Sequence, residues 1–259
     1  MKISIPKENR DGETRIAASP EVVKKFTGMG FEVTIESGAG LNSGFTDKIF
    51  EDVGANIASD TKATLKDADI IFKIQRLMTS KDKIDEISMC KKDAMVISHM
   101  SALSSKTDIE EYAKASITTF AMDLMPRISR AQSMDVLSSQ SNLAGYRSVI
   151  DSIFEFEKAV PMMMTAAGTV PAAKILVIGA GVAGLQAIAT AKRLGAIVSA
   201  TDVRAASKEQ VESLGGKFLE VDGSKDMETS GGYAKETSDD YKKKQAEMMQ
   251  SALKKNDIV

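Results

Sequence analysis

A chain of 259 residues with 43% hydrophobic and 27% charged residues has the composition of a soluble globular protein of about two domains. A net charge of −2 excludes a basic field that would hold nucleic acid or an anionic membrane surface. The single cysteine, Cys90, excludes an internal disulfide and fits the reducing cytoplasm, and the single histidine, His99, argues against a metal site. The longest charge-free stretch, 175–191, is shorter than the ~20 apolar residues of a membrane span, so we predict no membrane insertion.

Short runs rich in Val, Ile and Phe recur along the first half of the chain and predict buried strands at 3–5, 31–35, 70–74, 95–98 and 117–122. Helical patterns fall between these runs. Ser19 followed by Pro20 predicts the start of one helix, and Gly28 and Gly30 predict its end. A second helix is predicted over 46–54. Because strands alternate with helices, the pattern predicts an α/β fold with a mostly parallel sheet.

A broad apolar stripe at helical spacing predicts a connecting helix over 142–159. We place the domain boundary at its start, which gives an N-terminal α/β domain, 1–141, and a second domain, 142–259. The charge-free segment Met162–Val170 follows the helix. We expect its three consecutive methionines to pack in a core, because methionine is an adaptable core filler.

The second domain opens with a strand over 174–178 that leads into a glycine loop, and a helix follows to about Leu194. Further along the chain the pattern predicts strands at 197–201 and 217–221, helices at 208–214 and 241–254, and the entry to a fourth strand at 256–259. The polar stretch 222–240 predicts a functional loop. The fold class is therefore α/β with two Rossmann-like domains and mostly parallel sheets, the second of them incomplete.

The glycine loop, Gly179-Ala180-Gly181-Val182-Ala183-Gly184, has the GxGxxG spacing of a dinucleotide site. Gly179 allows the tight turn out of the strand, Gly181 lets the backbone approach a pyrophosphate, and Gly184 lets the helix pack on the strand. Val182 opens the helix, whose free N–H groups and positive dipole end attract phosphate. An ordinary strand–turn–helix corner is the alternative, and the acidic residue after the next strand argues against it.

That acidic residue, Asp202, follows the second strand of the domain and is placed to accept hydrogen bonds from an adenosine ribose. Its charge would repel a 2′-phosphate, so the sequence favours NAD(H) over NADP(H). Arg204 leaves two possibilities open, because an arginine here either serves a phosphate or is a solvated surface charge.

A second polar run, 126–142, follows the predicted strand at 117–122. Loops at the carboxyl ends of strands are where α/β proteins hold ligands, and arginines, an amide, a carboxylate and hydroxyls suit a polar cofactor. From composition alone, a helix-capping loop is equally compatible with this run.

Three segments, Met125–Asp135, Met162–Pro171 and Gly181–Ala196, resemble the NAD(H)-binding component of proton-translocating NAD(P) transhydrogenase, which is its alpha subunit or the first portion of it. The resemblance extends from Ile5 to the end of the chain. It covers about the first two thirds of that component, so we expect a C-terminally truncated form whose nucleotide pocket lacks some elements.

The resemblance implies roles for residues at matching positions. Arg127, Gln132, Asp135 and Ser138 match a loop over the nicotinamide end of the cofactor, and Gln132 matches the residue that bridges to the NADP(H)-binding component. Tyr233 matches the tyrosine of a mobile loop that closes on bound nucleotide. Direct hydride transfer between two nicotinamides needs no nucleophile, metal or general base from the protein, since the cofactors carry the chemistry.

The resemblance also implies partners and a location. They are an NADP(H)-binding component, a membrane component that translocates protons, and a second copy of this chain in a homodimer. Such a protein is cytoplasmic and lies at the inner membrane through its partner subunits.

Two alternatives stay open at this point. The first is an NAD-dependent oxidoreductase like alanine dehydrogenase, a relative with the same two-domain plan that needs an arginine, a lysine and a histidine for its substrate. Arg15, Lys73 and His99 are the candidates here. Lys73, however, lacks the proline-containing surroundings expected of that enzyme. The second alternative is an inactive, truncated NAD-binding module.

Overall fold

The computed structural model describes residues 1–204, 206–221 and 239–259. It divides the chain into two compact units, Met1–Asp135 and Val136–Val259. Each unit is built on its own parallel sheet, which confirms the predicted α/β class. The predicted domain boundary at 141/142 lies inside the first helix of the second unit and stays a prediction.

The first unit contains a six-stranded sheet in which all neighbouring strands run parallel. The order across the sheet is β3-β2-β1-β4-β5-β6, and in chain order the strands are β1 (Lys2–Ile5), β2 (Glu32–Glu36), β3 (Asn56–Ala58), β4 (Ile70–Gln75), β5 (Met95–His99) and β6 (Thr118–Ala121). The helices of this unit are α1 (Pro20–Gly28), α2 (Asp47–Asp52), α3 (Thr61–Leu65) and α4 (Lys106–Lys114).

Local sequence explains these elements. The five predicted strands are present, and β3 escapes the pattern because its three residues are too few to show a period. The Ser19 hydroxyl accepts a hydrogen bond from the Val22 N–H at 3.4 Å, and α1 begins at Pro20 as predicted. Both faces of the sheet are buried, because neighbouring side chains of a strand point to opposite faces and both sets pack in apolar clusters, one around Ile3 and the other around Ile71.

The second unit begins with a long helix, α5 (Val136–Phe154). It starts earlier than the predicted 142–159, because the serine-rich residues before Asn142 hide the helical period. Val149 of α5 is buried in the core of this unit, beside Ala187 and Ile188. Packing of an apolar face thus sustains a helix through residues that prefer turns when isolated.

The methionine segment forms a short antiparallel hairpin of β7 (Met163–Thr165) and β8 (Gly168–Val170). Met162, Met163 and Met164 are 60%, 51% and 75% exposed, so the prediction that they pack in a core is wrong for this chain. The physical reason is geometric, because this two-stranded ribbon has exposed side chains along both strands.

The main sheet of the second unit is parallel and has the order β11-β10-β9. Its described elements, in chain order, are β9 (Lys174–Ile178), α6 (Val182–Arg193), β10 (Ile197–Thr201), α7 (Ser207–Ser213), β11 (Lys217–Phe218) and α8 (Asp239–Leu253). Strand β11 is shorter than the predicted 217–221. Ile258 pairs in parallel with Ile175 of β9, so the predicted entry to a fourth strand is present as a single bridge. This arrangement is the first half of a doubly wound sheet.

None of the helices in the described ranges combines the length and the apolar character that a membrane-spanning helix needs.

Candidate nucleotide-binding site

The glycine loop connects β9 to α6 at the carboxyl edge of the second sheet. Gly179 has a φ of +93°, the left-handed region that favours glycine, and its N–H donates to Thr201 O of β10 at 2.8 Å. A Cβ on Gly184 would lie 1.8 Å from Gly179 O and 2.8 Å from Gly179 C, which are backbone atoms that have no room to move aside. The predicted close packing of this helix on its strand is therefore observed.

Helix α6 presents its N-terminus at this loop. Gly181 is its N-cap, in extended conformation, and makes no side-chain cap hydrogen bond. The Leu185 N–H donates to Gly181 O at 2.8 Å and starts the helical ladder. The N–H groups at 182–184 precede that bond, and with the helix dipole they form the kind of site that holds a phosphate.

Asp202 lies directly after β10, and its side chain is only 7% exposed. Its Oδ2 accepts from the Ala180 N–H at 2.7 Å, so the carboxylate is tied to the glycine loop. Burial opposes ionisation of this group, but the hydrogen bonds from Arg204 and Ala180 outweigh it and hold the pKa of Asp202 below its usual value. An ionised carboxylate next to a phosphate-binding turn is what recognition of a nucleoside requires.

Arg204 folds back onto Asp202. Its Nε and its backbone N–H donate to Oδ1 at 2.8 and 2.9 Å, and its Nη2 donates to Oδ2 at 2.9 Å. The same Nη2 lies 3.8 Å from the place of a Cβ on Gly181. Sequence reasoning offered a phosphate ligand or a solvated charge, and it missed this ion pair with a residue two positions away.

The other predicted residues lie outside this cluster or outside the described chain. Arg127, Gln132 and Asp135 belong to the first unit, where a short 3-10 helix covers Ser129–Met134 and ends at Asp135. Arg127 and Gln132 are exposed, and Asp135 is half-buried. Ser138, also half-buried, lies in the first turn of α5 in the second unit.

Tyr233 and the polar stretch 222–238 lie outside the described residues.

Helix α5 contacts α6 through a hydrogen bond that no motif indicates. Asn142 Nδ2 donates to Gln186 Oε1 at 3.0 Å, and Gln186 Nε2 donates onward to the Thr190 hydroxyl at 3.1 Å. The bond joins the helix that carries Ser138 to the helix that offers the phosphate-binding turn. An amide one helical turn after Ser138 was the available sequence signal.

The first unit closes the carboxyl edge of its sheet with buried charges. Lys73 of β4 is fully buried, and its Nζ lies 2.8 and 2.7 Å from the two carboxylate oxygens of Glu86 and 3.7 Å from Glu8 Oε2. Burial raises the pKa of the Glu8 carboxyl, although Lys73 acts to lower it. An anionic substrate that sought Lys73 would have to displace Glu86.

The family models for "Alanine dehydrogenase/PNT, N-terminal domain" and "Alanine dehydrogenase/PNT, C-terminal domain" match residues 4–144 and 148–259. The first portion of the NAD(P) transhydrogenase alpha subunit of Rhodospirillum rubrum, a subunit split in two, is 62% identical over 222 residues, which are 86% of this chain and 58% of that protein. Its namesake in Rickettsia prowazekii is 49% identical over 259 residues, all of this chain and 67% of the relative. The chain thus spans between about half and two thirds of these curated relatives.

Solved structures agree with the sequence comparison. The transhydrogenase of Sinorhizobium meliloti matches with a TM-score of 0.80 and 55% identity, over 85% of this chain and 64% of that one. An L-alanine dehydrogenase matches with a TM-score of 0.73 and 23% identity, over 85% of this chain and 60% of that chain, and shows the shared fold alone.

Proposed function

The chain belongs to the alanine dehydrogenase/PNT family, and from that premise we propose that it binds NAD(H) and presents it for direct hydride transfer to NADP⁺ on a partner component. The observation that carries the proposal is the glycine loop with Asp202 tied to it through the Ala180 N–H. Bound NAD(H) supplies a hydride donor or acceptor at its nicotinamide ring, and the protein supplies position and electrostatics.

The residues of the second unit fit this cofactor. The space kept free of side chains by Gly181 and Gly184 admits a pyrophosphate to the N–H groups of α6, whose dipole favours its charge. Asp202 is placed to accept hydrogen bonds from the hydroxyls of the adenosine ribose. Its negative charge disfavours the 2′-phosphate of NADP(H), so NAD(H) is the proposed ligand.

For the nicotinamide end we propose Arg127, Asp135 and Ser138 as positioning groups and Gln132 as the bridge to the NADP(H)-binding partner. The support is the resemblance of segment 125–135 to the transhydrogenase component, together with the exposure of Gln132, which leaves its amide accessible to a partner. Tyr233 is proposed to close on the nucleotide on the strength of the resemblance alone.

The proposed assembly follows from what the relatives are called. Each is named as the alpha subunit of NAD(P) transhydrogenase or as the first portion of that subunit, and such names imply further subunits. We propose an NADP(H)-binding component, a membrane component that couples hydride transfer to proton translocation, and a homodimer of this chain. It would act in the cytoplasm, at the inner membrane through those partners.

The alanine dehydrogenase alternative is the weaker proposal because of Lys73. Two carboxylates enclose its ammonium group, and the Arg15 guanidinium is engaged with Glu13 at 2.7 Å. Neither cation is presented to a carboxylate substrate. Oxidation of NADH by this chain with pyruvate and ammonia would overturn that judgement.

The primary test is a titration of the 259-residue chain with NADH and NADPH. We expect NADH to bind more tightly, and Asp202→Ala to weaken NADH binding and narrow the difference between the two nucleotides. Equal affinity of the unchanged chain for both would contradict the proposal.

The second test addresses Gln132. Gln132→Asn keeps the amide but shortens its reach by one methylene, so NADH affinity should stay the same. Hydride transfer in a complete protein reconstituted with its NADP(H) partner should fall on the order of 100-fold, because a displacement of ~1 Å has that effect. Asp135→Asn is the contrasting variant, in which NADH binding should weaken as well. A rate loss in Gln132→Asn that weaker NADH binding fully explains would move Gln132 into the NADH pocket.

A further inference from the structure

The carboxylate of Asp202 has no acceptor site to spare. A carboxylate offers about four lone-pair positions, two on each oxygen. Oδ1 accepts from the backbone N–H and Nε of Arg204, and Oδ2 accepts from the Ala180 N–H and from Nη2 of Arg204. Four donors therefore fill the group that the proposed function assigns to the adenosine ribose.

These four donors fall into two classes. The backbone N–H groups of Ala180 and Arg204 are fixed by the fold, and each of them holds one oxygen. Nε and Nη2 belong to a side chain that can swing away, and each of them also holds one oxygen. Departure of the guanidinium would leave each oxygen with one backbone donor and one open acceptor position.

A vicinal diol matches what the guanidinium leaves. Its two hydroxyls can each donate one hydrogen bond, one to each carboxylate oxygen, as the guanidinium fork does. Resting on the proposed function, we propose that Arg204 occupies the place of the adenosine ribose diol and competes with it for Asp202. Arg204 thereby sets both the affinity for NAD(H) and the discrimination against NADP(H).

The charges explain the discrimination. A diol that replaces the guanidinium leaves Asp202 ionised and fully hydrogen-bonded, while Arg204, already 22% exposed, gains solvent. A 2′-phosphate has lost one of the two donor hydroxyls and carries negative charge to a carboxylate that is 7% exposed. It can pair with the guanidinium only by drawing it off Asp202, which then faces the phosphate unpaired.

The experiment compares the 259-residue chain with Arg204→Met, Arg204→Lys and the control Arg193→Met, which removes an arginine from the last turn of α6. The ligands are NADH, NADPH, ADP and 2′,3′-dideoxy-ADP, and the readout is the Kd of each. Methionine keeps much of the length of arginine and offers no donor. Lysine keeps the charge but not the fork.

We expect Arg204→Met to bind NADH about fivefold more tightly, the effect of removing a competing partly exposed ion pair. ADP should gain similarly, and Arg204→Lys should fall between. NADPH should not gain, and dideoxy-ADP, which lacks both hydroxyls, should bind the variant and the parent equally. Arg193→Met should change none of these values.

Three results would overturn the inference. Weaker NADH binding in Arg204→Met would show that the arginine holds the bound nucleotide, and unchanged binding would show that it does not compete. An equal gain for ADP and dideoxy-ADP would show an effect on the fold and not on the diol. If Arg204→Met does not fold, absence of any gain in Arg204→Lys has the same force. A parent chain that binds no NADH would instead overturn the proposed function.

Discussion

Each unit carries an acidic residue followed two positions later by an arginine that folds back onto it. In the first unit Arg15 donates to Glu13 from its backbone N–H, Nε and Nη2, at 3.1, 2.7 and 2.7 Å. In the second unit Arg204 donates to Asp202 from the same three groups. The local pattern is the same, and the fourth donor to each carboxylate is different.

Gln75 supplies the fourth donor in the first unit, where its Nε2 lies 3.0 Å from Glu13 Oε2. It ends β4, two residues after the buried Lys73, so side chains fill this edge of the sheet. In the second unit the fourth donor is the Ala180 N–H, within the glycine loop. Both edges are offered to a ligand by topology, but only the second keeps backbone donors beside its carboxylate. Acid–arginine spacing alone therefore does not make a nucleotide site.

Lys73→Met gives the largest expected effect and tests whether the first edge is closed by charge. It leaves Glu8 and Glu86 buried without their cation, which we expect to lower the free energy of unfolding of the first unit by about 3–5 kcal/mol. Urea unfolding followed by circular dichroism measures the loss. Lys48→Met, which removes an exposed partner of Asp52, is the matched control and should cost well under ~1 kcal/mol.

The same variant has a predicted pH dependence. Burial already raises the pKa of Glu8, and loss of the ammonium raises it further. A carboxyl with a raised pKa in the folded state loses stability as pH rises through that pKa, so the deficit of Lys73→Met should grow from pH 4.5 upward. A deficit that is constant with pH would indicate lost packing and not unpaired carboxylates.

Gly184→Ala tests the open edge. The added Cβ would lie 1.8 Å from Gly179 O, so α6 must move off β9, which we expect to destabilise the second unit by about 3 kcal/mol. Displaced N–H groups should also weaken NADH binding by about tenfold or more. Gly28→Ala is the matched control, since its Cβ meets nothing within 4 Å. Parent-like NADH affinity in Gly184→Ala would separate the glycine loop from nucleotide binding.

The sequence predicted the repeating elements of this molecule better than its particular contacts. Strands β1 and β4, the start of α1 and the glycine turn follow from periodicity, a cap and a spacing, which are local properties. The exposed Met163 does not, because burial depends on what the rest of the chain brings to a residue.

The acid–arginine pairs show the same limit within a site. Asp202 is predictable from its position after β10, yet its pairing with Arg204 depends on a side-chain rotamer. The tie to Ala180 depends on a backbone N–H, which every residue other than proline possesses and no motif marks. Spacing therefore located the carboxylate, and only the three-dimensional structure shows which donors hold it.

Glu13→Gln gives the smallest effect and tests whether the pair in the first unit is only structural. The hydrogen bond from Arg15 is the main cause that lowers the pKa of Glu13 from 4.5 to about 2, against the opposing effect of burial. A carboxyl with a lowered pKa stabilises the fold fully above its unfolded value and loses that contribution as pH falls through its folded value. Because Arg15 is 41% exposed, we expect a deficit below ~1 kcal/mol at neutral pH, shrinking to nothing between pH 4.5 and about 2. NADH affinity should be unchanged, in contrast to Asp202→Ala. A Glu13→Gln chain that binds NADH more weakly would place nucleotide recognition at both edges and remove the distinction between them.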